Sequence, residues 1–290
     1  MLRFLIFSVM HVFISGEVIA KVKEFQFDSK EGKELLTSAV NNVPTISLKD
    51  KVIFKWVNND VDWPLISLTI GGKKLLALVD SGSTISAIRE DSPLIKLATK
   101  KVTLPKGSGE FVFLKDFEVE NGNFTISKLA VHAYNKAVHE PRLKNPKCCD
   151  MILGQDFFQA VDVTFDNKKS IEIEKPKAKY PKSSFAIRRI GEKSAIWVTE
   201  ATVDGKLCKS ARVDTAGSNK VLRIFGPWFG SKRPEKVSLK FAHSPGKFKP
   251  QFDEKNTGYV NEKVCVNLGR GHLFTKKLTI SLKNGIGLYH

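Results

Sequence analysis

Two short stretches of the sequence combine a carboxylic acid with small hydroxyl residues and glycine. The first is Asp80-Ser-Gly-Ser83 and the second is Asp214-Thr-Ala-Gly-Ser218. Each acid directly follows an apolar run, where a carboxylate is costly to bury unless neighbouring groups hydrogen-bond to it. Hydroxyl side chains and the backbone N–H groups of glycine-containing turns can supply such bonds. Two acids held in this way could act on a water molecule as a general acid and a general base.

Each acid stands at the end of a predicted β-hairpin. Residues 65–70 alternate between apolar and polar side chains, Gly71-Gly72 is a turn signal, and residues 75–79 predict a buried strand. The same pattern returns in residues 195–205, a strand and turn, and in the partner strand over residues 206–213. An internal repeat of this kind indicates a duplicated fold with one acid in each lobe.

The first acid stretch resembles the Asp-Ser/Thr-Gly motif of pepsin-like and retropepsin-like aspartic proteases. An isolated tripeptide of this type is more often a surface turn, but here further elements of the family pattern accompany it. Each acid is followed later by an apolar-Gly element, Ile152-Leu-Gly154 and the weaker copy Asn267-Leu-Gly269. The resemblance covers residues 60–290 and implies a mostly β, two-lobed acid-protease fold with a cleft between the lobes.

The resemblance implies that Asp80 and Asp214 form the catalytic dyad of an aspartic endopeptidase. Two neighbouring carboxyl groups cannot both ionise easily, so they share one proton. The ionised group would take a proton from water, and the protonated group would hydrogen-bond the scissile carbonyl oxygen. This chemistry needs no metal and no organic cofactor, and its partner is a peptide or protein substrate.

The resemblance also implies supporting roles for the residues that follow each acid. The hydroxyls of Ser81 and Thr215 would tie the two acid loops together. The N–H group of Gly82 would face the carboxylates, and the hydroxyl of Ser83 would support one of them. Gly217 stands where the family carries a hydroxyl residue in the second loop.

The second loop departs from the family pattern. Ala216 replaces the family's glycine, and Arg270 follows the second apolar-Gly element in place of a polar or acidic residue. These departures leave two alternatives to a working intramolecular dyad. One is a weak or inactive protease-like protein that binds peptides, and the other is a dyad formed by the first lobes of two chains.

A candidate flap, the hairpin that covers the cleft in this family, lies at Gly107-Ser-Gly109. A flap needs a flexible tip that approaches the substrate backbone, which glycine permits. An ordinary hairpin turn explains the same residues equally well, so both interpretations stay open.

The sequence predicts five segments. Residues 1–20 are typical of a secretory signal, with a short N-terminal strand as the alternative, and residues 21–60 form an N-terminal extension or a pro-segment. Lobe 1 covers residues 61–174, and lobe 2 covers residues 185–290. Between them, the lysine- and proline-rich residues 175–184 form a linker.

Two secondary-structure predictions lie outside the acid loops and their hairpins. A short helix is expected over residues 30–40, with Asp28 or Ser29 as its N-cap. One alternating strand is expected over residues 124–134.

The net charge of +17 favours anionic partners, such as nucleic acid or sulfated glycans. The lysines are scattered, however, so we interpret the charge as a solvated surface with no specific nucleic-acid site. The sequence after the signal contains no apolar run long enough to span a membrane. We therefore expect an exported, secreted monomer, with a secreted protein that binds anionic polymers as a further alternative.

The four cysteines lack the spacing of a zinc site, and export makes disulfide bonds possible. Because Cys208 and Cys265 lie on elements that the family packs together, we expect a bridge between them. For the adjacent Cys148 and Cys149, we expect separate partners or free thiols, since a bridge between neighbours is strained.

Overall fold

The computed structural model describes residues 22–58, 62–105, 108–134, 148–191, 196–217, 221–225, 234–242, 244–253 and 264–290. The signal predicted over residues 1–20 and Gly107 of the flap candidate lie outside these described residues. The described chain is mostly β, as expected. We refer to residues 22–174 as the N-terminal half and to residues 185–290 as the C-terminal half.

The described residues of the N-terminal half form fourteen strands and two helices. Its strands are β1 Lys23–Gln26, β2 Thr45–Leu48, β3 Val52–Lys55, β4 Leu65–Ile70, β5 Lys73–Val79, β6 Ala87–Arg89, β7 Ala98–Thr103, β8 Glu110–Leu114, β9 Phe117–Val119, β10 Phe124–Ser127, β11 Ala130–Tyr134, β12 Met151–Leu153, β13 Asp162–Asp166 and β14 Ser170–Glu174. Its helices are α1 Lys30–Asn41 and α2 Gln155–Ala160, with short 3-10 turns at Pro93–Leu97 and Glu120–Gly122.

In the C-terminal half, the part of the chain that the structure describes forms ten strands and one short helix. Its strands are β15 Phe185–Ala186, β16 Arg188–Ile190, β17 Ile196–Val203, β18 Lys206–Val213, β19 Val221–Phe225, β20 Val237–Phe241, β21 Ser244–Asp253, β22 Val266–Leu268, β23 Leu278–Ser281 and β24 Ile286–Tyr289. Its helix is α3 Arg270–Leu273.

The two predicted hairpins are confirmed. In the N-terminal half, β4 pairs antiparallel with β5 from Leu65 opposite Leu78 to Ile70 opposite Lys73. The turn residues Gly71 and Gly72 have φ values of 57° and 68°, a left-handed conformation that glycine adopts without steric cost. In the C-terminal half, β17 and β18 form the corresponding hairpin around Asp204-Gly205.

Each hairpin belongs to a large sheet. The eight-stranded sheet of the N-terminal half has the order β1-β7-β8-β11-β6-β12-β5-β4. The seven-stranded sheet of the C-terminal half has the order β16-β17-β18-β22-β19-β21-β20. Strand β20 also pairs with β17. The strands β17, β18, β22, β19, β21 and β20 therefore close into a ring in that order.

A six-stranded sheet joins the two halves, in the order β15-β24-β23-β13-β14-β3. The seam is the antiparallel pair of β13 and β23, where Val163 lies opposite Ile280 and Phe165 opposite Leu278. These four apolar side chains are fully buried and belong to one core cluster that contains residues of both halves. The apolar burial on both sides of the seam stabilises the halves as neighbours.

Residues 22–55 contribute to several layers of the fold. The predicted helix is confirmed as α1, and the Ser29 hydroxyl caps it by accepting a hydrogen bond from Gly32 N. Strand β1 pairs parallel with β7, while β2 pairs with β10 and β3 with β14. Helix α1 packs on β1, β7 and β8 through a cluster that includes Ala39, Val102 and Phe111.

The expected single strand over residues 124–134 is wrong. The structure has two strands there, β10 and β11, which belong to different sheets. Lys128 between them has a φ of 58°, a left-handed conformation that breaks the extended chain. The sequence carries a sign of this break, because the apolar residues change from even positions, Phe124 and Ile126, to odd positions, Leu129 and Val131.

Residues 175–184 contain no strand or helix, and this predicted linker is anchored to the six-stranded sheet. Lys177 N donates to the Tyr180 hydroxyl at 3.1 Å. That hydroxyl in turn contacts Asp162 of β13 and, at 3.1 Å, Ser281 of β23. One linker side chain therefore touches the strands on both sides of the seam.

The cysteines form two pairs. Cys208 and Cys265 are bonded, with a Cα–Cα distance of 6.1 Å, which confirms the expected bridge. The expectation for the other two is wrong, because Cys148 is bonded to Cys149. Both sulfurs lie in one buried apolar cluster with Leu65. With Cys208 and Cys265 already paired, each has only its neighbour as a partner.

Candidate active site

The backbone has the same arrangement at both acids, which directly follow strands β5 and β18. The apolar-Gly strands β12 and β22 pair parallel with β5 and β18, the strands that end just before Asp80 and Asp214. As a result, Asp80 N donates to Leu153 O at 2.9 Å, and Asp214 N donates to Leu268 O at 3.1 Å. The repeated sequence pattern therefore produces a repeated backbone arrangement under each acid loop.

Ser81 and Thr215 join the two acid loops through reciprocal hydrogen bonds. Ser81 N donates to Thr215 Oγ1 at 2.9 Å, and Thr215 N donates to Ser81 Oγ at 3.1 Å. The two hydroxyls then donate across the loops, Thr215 Oγ1 to Val79 O at 2.8 Å and Ser81 Oγ to Val213 O at 3.2 Å. Both side chains are fully buried, so water does not compete for these four bonds.

This connection brings the carboxyl groups of Asp80 and Asp214 together beside Gly82. Gly82 N donates to Asp80 Oδ1 at 2.7 Å. A Cβ atom on Gly82 would lie 2.6 Å from Asp214 Cγ and 2.9 Å from Asp80 Oδ1. The backbone therefore approaches both carboxyl groups at a distance that only glycine permits.

The electrostatics of the site favour a protonated Asp80. Burial raises the pKa of Asp80, and the negative charge of Asp214 raises it further, to about 7. The positive charge of Arg212 and the hydrogen bond from Gly82 N act in the opposite direction. At pH values below about 7, the pair therefore holds a proton that can take part in acid–base chemistry.

Asp214 is held by side chains that the sequence analysis missed. Its Oδ2 accepts from Asn267 Nδ2 at 2.8 Å and from Arg212 Nη1 at 3.1 Å. Two signals could have found them. Arg212 stands two residues before Asp214 on a strand, so both side chains point to the same face. Asn267 is the polar residue in the second apolar-Gly element.

The other loop residues divide into two groups. Ser83 N donates to Asp80 O at 3.1 Å and Gly217 N donates to Asp214 O at 3.0 Å, so these residues occupy equivalent positions. The hydroxyl of Ser83 donates to Ile85 O at 2.8 Å rather than to a carboxylate. Ala216 corresponds to Gly82 and packs on the apolar cluster that holds Cys148 and Cys149.

Beneath the second loop, Arg270 and His272 of α3 are buried. Burial lowers the pKa of Arg270 to about 10, against the opposing influence of Asp62, Asp214 and Asp80. Burial also lowers the pKa of His272 to about 4, and its Nδ1 accepts a hydrogen bond from Gly269 N at 3.0 Å. The imidazole is therefore neutral at physiological pH and serves as a hydrogen-bond acceptor there.

Of the flap candidate, the structure describes Ser108 and Gly109, at the tip of the β7–β8 hairpin. The carbonyl oxygen of Ser108 lies 2.7 Å from His132 Nε2 on β11. Gly109 has a φ of 89°, and a Cβ there would lie 3.0 Å from the same His132 nitrogen. These contacts attach the tip to the neighbouring strand.

No family model matches this chain, and no curated protein matches it. Among the described residues, none of the helices has the length and apolar character needed to cross a bilayer. The interpretation of the site therefore depends on its own geometry.

Proposed function

We propose that the chain is an aspartic endopeptidase with the two-lobed acid-protease fold. The observation that carries the proposal is the close approach of the Asp80 and Asp214 carboxyl groups, one from each repeat, beside Gly82. The reciprocal Ser81 and Thr215 bonds support it, because they tie together the two loops that carry the acids. The proposal includes that the chain is an exported monomer and that its substrates are peptides or proteins.

The proposed reaction uses one protonated and one ionised carboxyl group. The ionised group takes a proton from water as the water oxygen attacks the carbonyl carbon, and the protonated group donates its proton to the carbonyl oxygen. The product is a tetrahedral gem-diol. Its C–N bond then breaks as the amine nitrogen receives a proton, and the dyad returns to its starting state. The Gly82 N–H group holds Asp80 in place through these steps.

A second candidate function is peptide binding without hydrolysis. The observation that favours it is the ion pair between Arg212 Nη1 and Asp214 Oδ2 at 3.1 Å. A cation in direct contact with a carboxylate lowers its basicity towards a water molecule.

The test compares wild type, Asp80→Asn and Asp214→Asn on a library of unlabelled peptides, with cleavage products read by mass spectrometry. We expect cleavage by the wild type. In each variant the cleavage rate should fall by a factor on the order of 1000 or more, which is typical for the loss of a catalytic side chain. Asp116→Asn is the matched control, since Asp116 is an exposed acid in the N-terminal half. Full activity of Asp214→Asn would contradict the intramolecular dyad. Binding of a peptide with a statine-like hydroxyl, without any cleavage, would select the second candidate.

A further inference from the structure

The side chain of Arg212 contacts both acid loops. Its guanidinium donates through Nη1 to Asp214 Oδ2 at 3.1 Å and through Nη2 to Gly82 O at 2.5 Å. Only 12% of the side chain is exposed, so solvent screens this ion pair weakly. One cation therefore bridges the second acid and the backbone of the first loop.

The two strands that precede the acids differ at the position of Arg212. Leu78 is the counterpart of Arg212, two residues before Asp80, and it is buried in the apolar cluster with Leu65. Asp80 instead accepts a backbone hydrogen bond from Gly82 N. Asp214 Oδ2 receives two side-chain donors, Arg212 and Asn267, and charge-assisted bonds of this kind favour a carboxylate.

A second cation near the dyad, Arg270, interacts more strongly with Asp214 than with Asp80. Arg270 of α3 interacts electrostatically with Asp80 and with Asp214, and also with Asp62, which precedes β4. His272 of the same helix is neutral over most of the pH range because burial lowers its pKa to about 4. The direct bonds of Arg212 and Asn267 to Asp214 therefore set the asymmetry of the pair, and Arg270 acts in the same direction.

We propose that Arg212 is a positioning residue that keeps Asp214 ionised and assigns the shared proton of the dyad to Asp80. This inference rests on the proposed endopeptidase activity and gives each acid a separate role. Asp214 takes the proton from the attacking water, and Asp80 donates its proton to the scissile carbonyl oxygen. The two carboxyl groups exchange charge states in this step. As the C–N bond breaks, Asp214 gives its proton to the leaving amine nitrogen and Asp80 takes a proton from a hydroxyl of the gem-diol, which becomes the carboxyl product, so both groups return to their starting states.

The first experiment measures the pH dependence of kcat/KM for wild type, Arg212→Gln, Arg212→Lys and Lys209→Gln. Removal of the cation favours the protonated forms of both acids, so both limbs of the profile should move about one pH unit upwards in Arg212→Gln. Arg212→Lys keeps the charge and should keep both limbs close to their wild-type positions. Lys209→Gln removes an exposed charge from the same strand and should leave the profile unchanged.

A lower rate with unmoved limbs in Arg212→Gln would overturn the inference, because it would reduce Arg212 to a structural link between the loops. The second experiment does not depend on cleavage or on a variant. In wild-type protein labelled with 13C at the aspartate carboxyl carbons, NMR at pH 5.5 should show a protonated Asp80 and an ionised Asp214. The reverse assignment would overturn the inference even in an active enzyme. Absence of cleavage with the expected NMR assignment would reject the endopeptidase proposal and retain the role of Arg212 in the charge states.

Discussion

At the scale of single residues, the protonation of Asp80 sets the pH range of the proposed activity. Burial and the charge of Asp214 raise its pKa to about 7, and the reaction needs one protonated carboxyl group. Activity should therefore be present below pH 7 and should fall as the pH rises through about 7. Initial rates at constant ionic strength over pH 3–9 check this, and a rate that still rises above pH 8 would contradict it.

Gly82→Ala should strongly reduce activity. The added Cβ would lie 2.6 Å from Asp214 Cγ and 2.9 Å from Asp80 Oδ1, so the carboxyl groups would have to separate. Displacement of catalytic groups by about 1 Å typically reduces the rate on the order of 100-fold. The measurement is kcat on one peptide substrate, after circular dichroism has shown that the variant is folded.

Gly72→Ala is the control for this prediction. No atom lies within 4 Å of the position that its Cβ would take, although its φ of 68° makes alanine strained there. It should therefore lower stability without lowering the kcat of the folded protein. Equal kcat losses in the two variants would show that the proximity of Gly82 to the acids is irrelevant.

The residues of the two acid loops can be identified from the sequence because each motif is a short run of neighbouring residues, while the contact between the loops was an expectation from the family resemblance. Ser81, Thr215 and the strands before them lie as their pattern indicates. Arg212 has a local signal in its position two residues before Asp214, whereas the contact of Asn267 with Asp214 depends on how β18 and β22 pair. The hydroxyl of Ser83 had two acceptors within reach, a carboxylate and a carbonyl oxygen, and the sequence does not choose between them.

At the scale of elements, we expect the replacement of Gly32 in helix α1 by alanine to destabilise the protein, although helix propensity alone favours alanine. Alanine is the better helix former by about 1 kcal/mol. At Gly32, however, the added Cβ would lie 2.9 Å from the carbonyl carbon of Gln26 and 2.9 Å from Ser29 Oγ, the N-cap. We expect Gly32→Ala to reduce the free energy of unfolding by about 2 kcal/mol, measured by urea denaturation.

The matched control for this helix is Ser38→Ala, at an exposed position of α1. Its free energy of unfolding should remain within about 0.5 kcal/mol of the wild-type value. An increase in stability for Gly32→Ala would show that α1 does not pack against residues 26–29 as described.

At the scale of the whole molecule, the two disulfide bonds should differ in their contribution to stability. The Cys208–Cys265 bond joins residues 57 positions apart, and a closed loop of that length stabilises a protein by about 4 kcal/mol in the chain-entropy account. The bond between the adjacent Cys148 and Cys149 closes no comparable loop. We expect the double variant Cys208→Ser/Cys265→Ser to lose much more stability than Cys148→Ser/Cys149→Ser.

Thermal unfolding of both double variants by calorimetry measures this difference. Because each variant removes one disulfide bond and two buried sulfur atoms, the comparison isolates the effect of loop length. Equal losses of Tm would indicate that packing of the sulfur atoms dominates over the constraint on the unfolded chain.

The overall architecture was predictable only in part. Strand periodicity and the Gly71-Gly72 turn identify the local hairpins, since these depend on neighbouring residues. The ring closure of β17 with β20 and the seam of β13 with β23 join residues that are distant in the chain. No pattern of neighbouring residues predicts those pairings. They depend on the burial of both faces of the sheets in the folded protein.

The seam also has a mechanical consequence. The backbone hydrogen bonds of the seam, together with the contact of Thr164 Oγ1 and Thr279 Oγ1 at 2.6 Å, make the six-stranded sheet a rigid connection between the halves. A hinge rotation between the halves would have to break these hydrogen bonds. The distance between the two acid loops should therefore stay constant when a ligand approaches the acids.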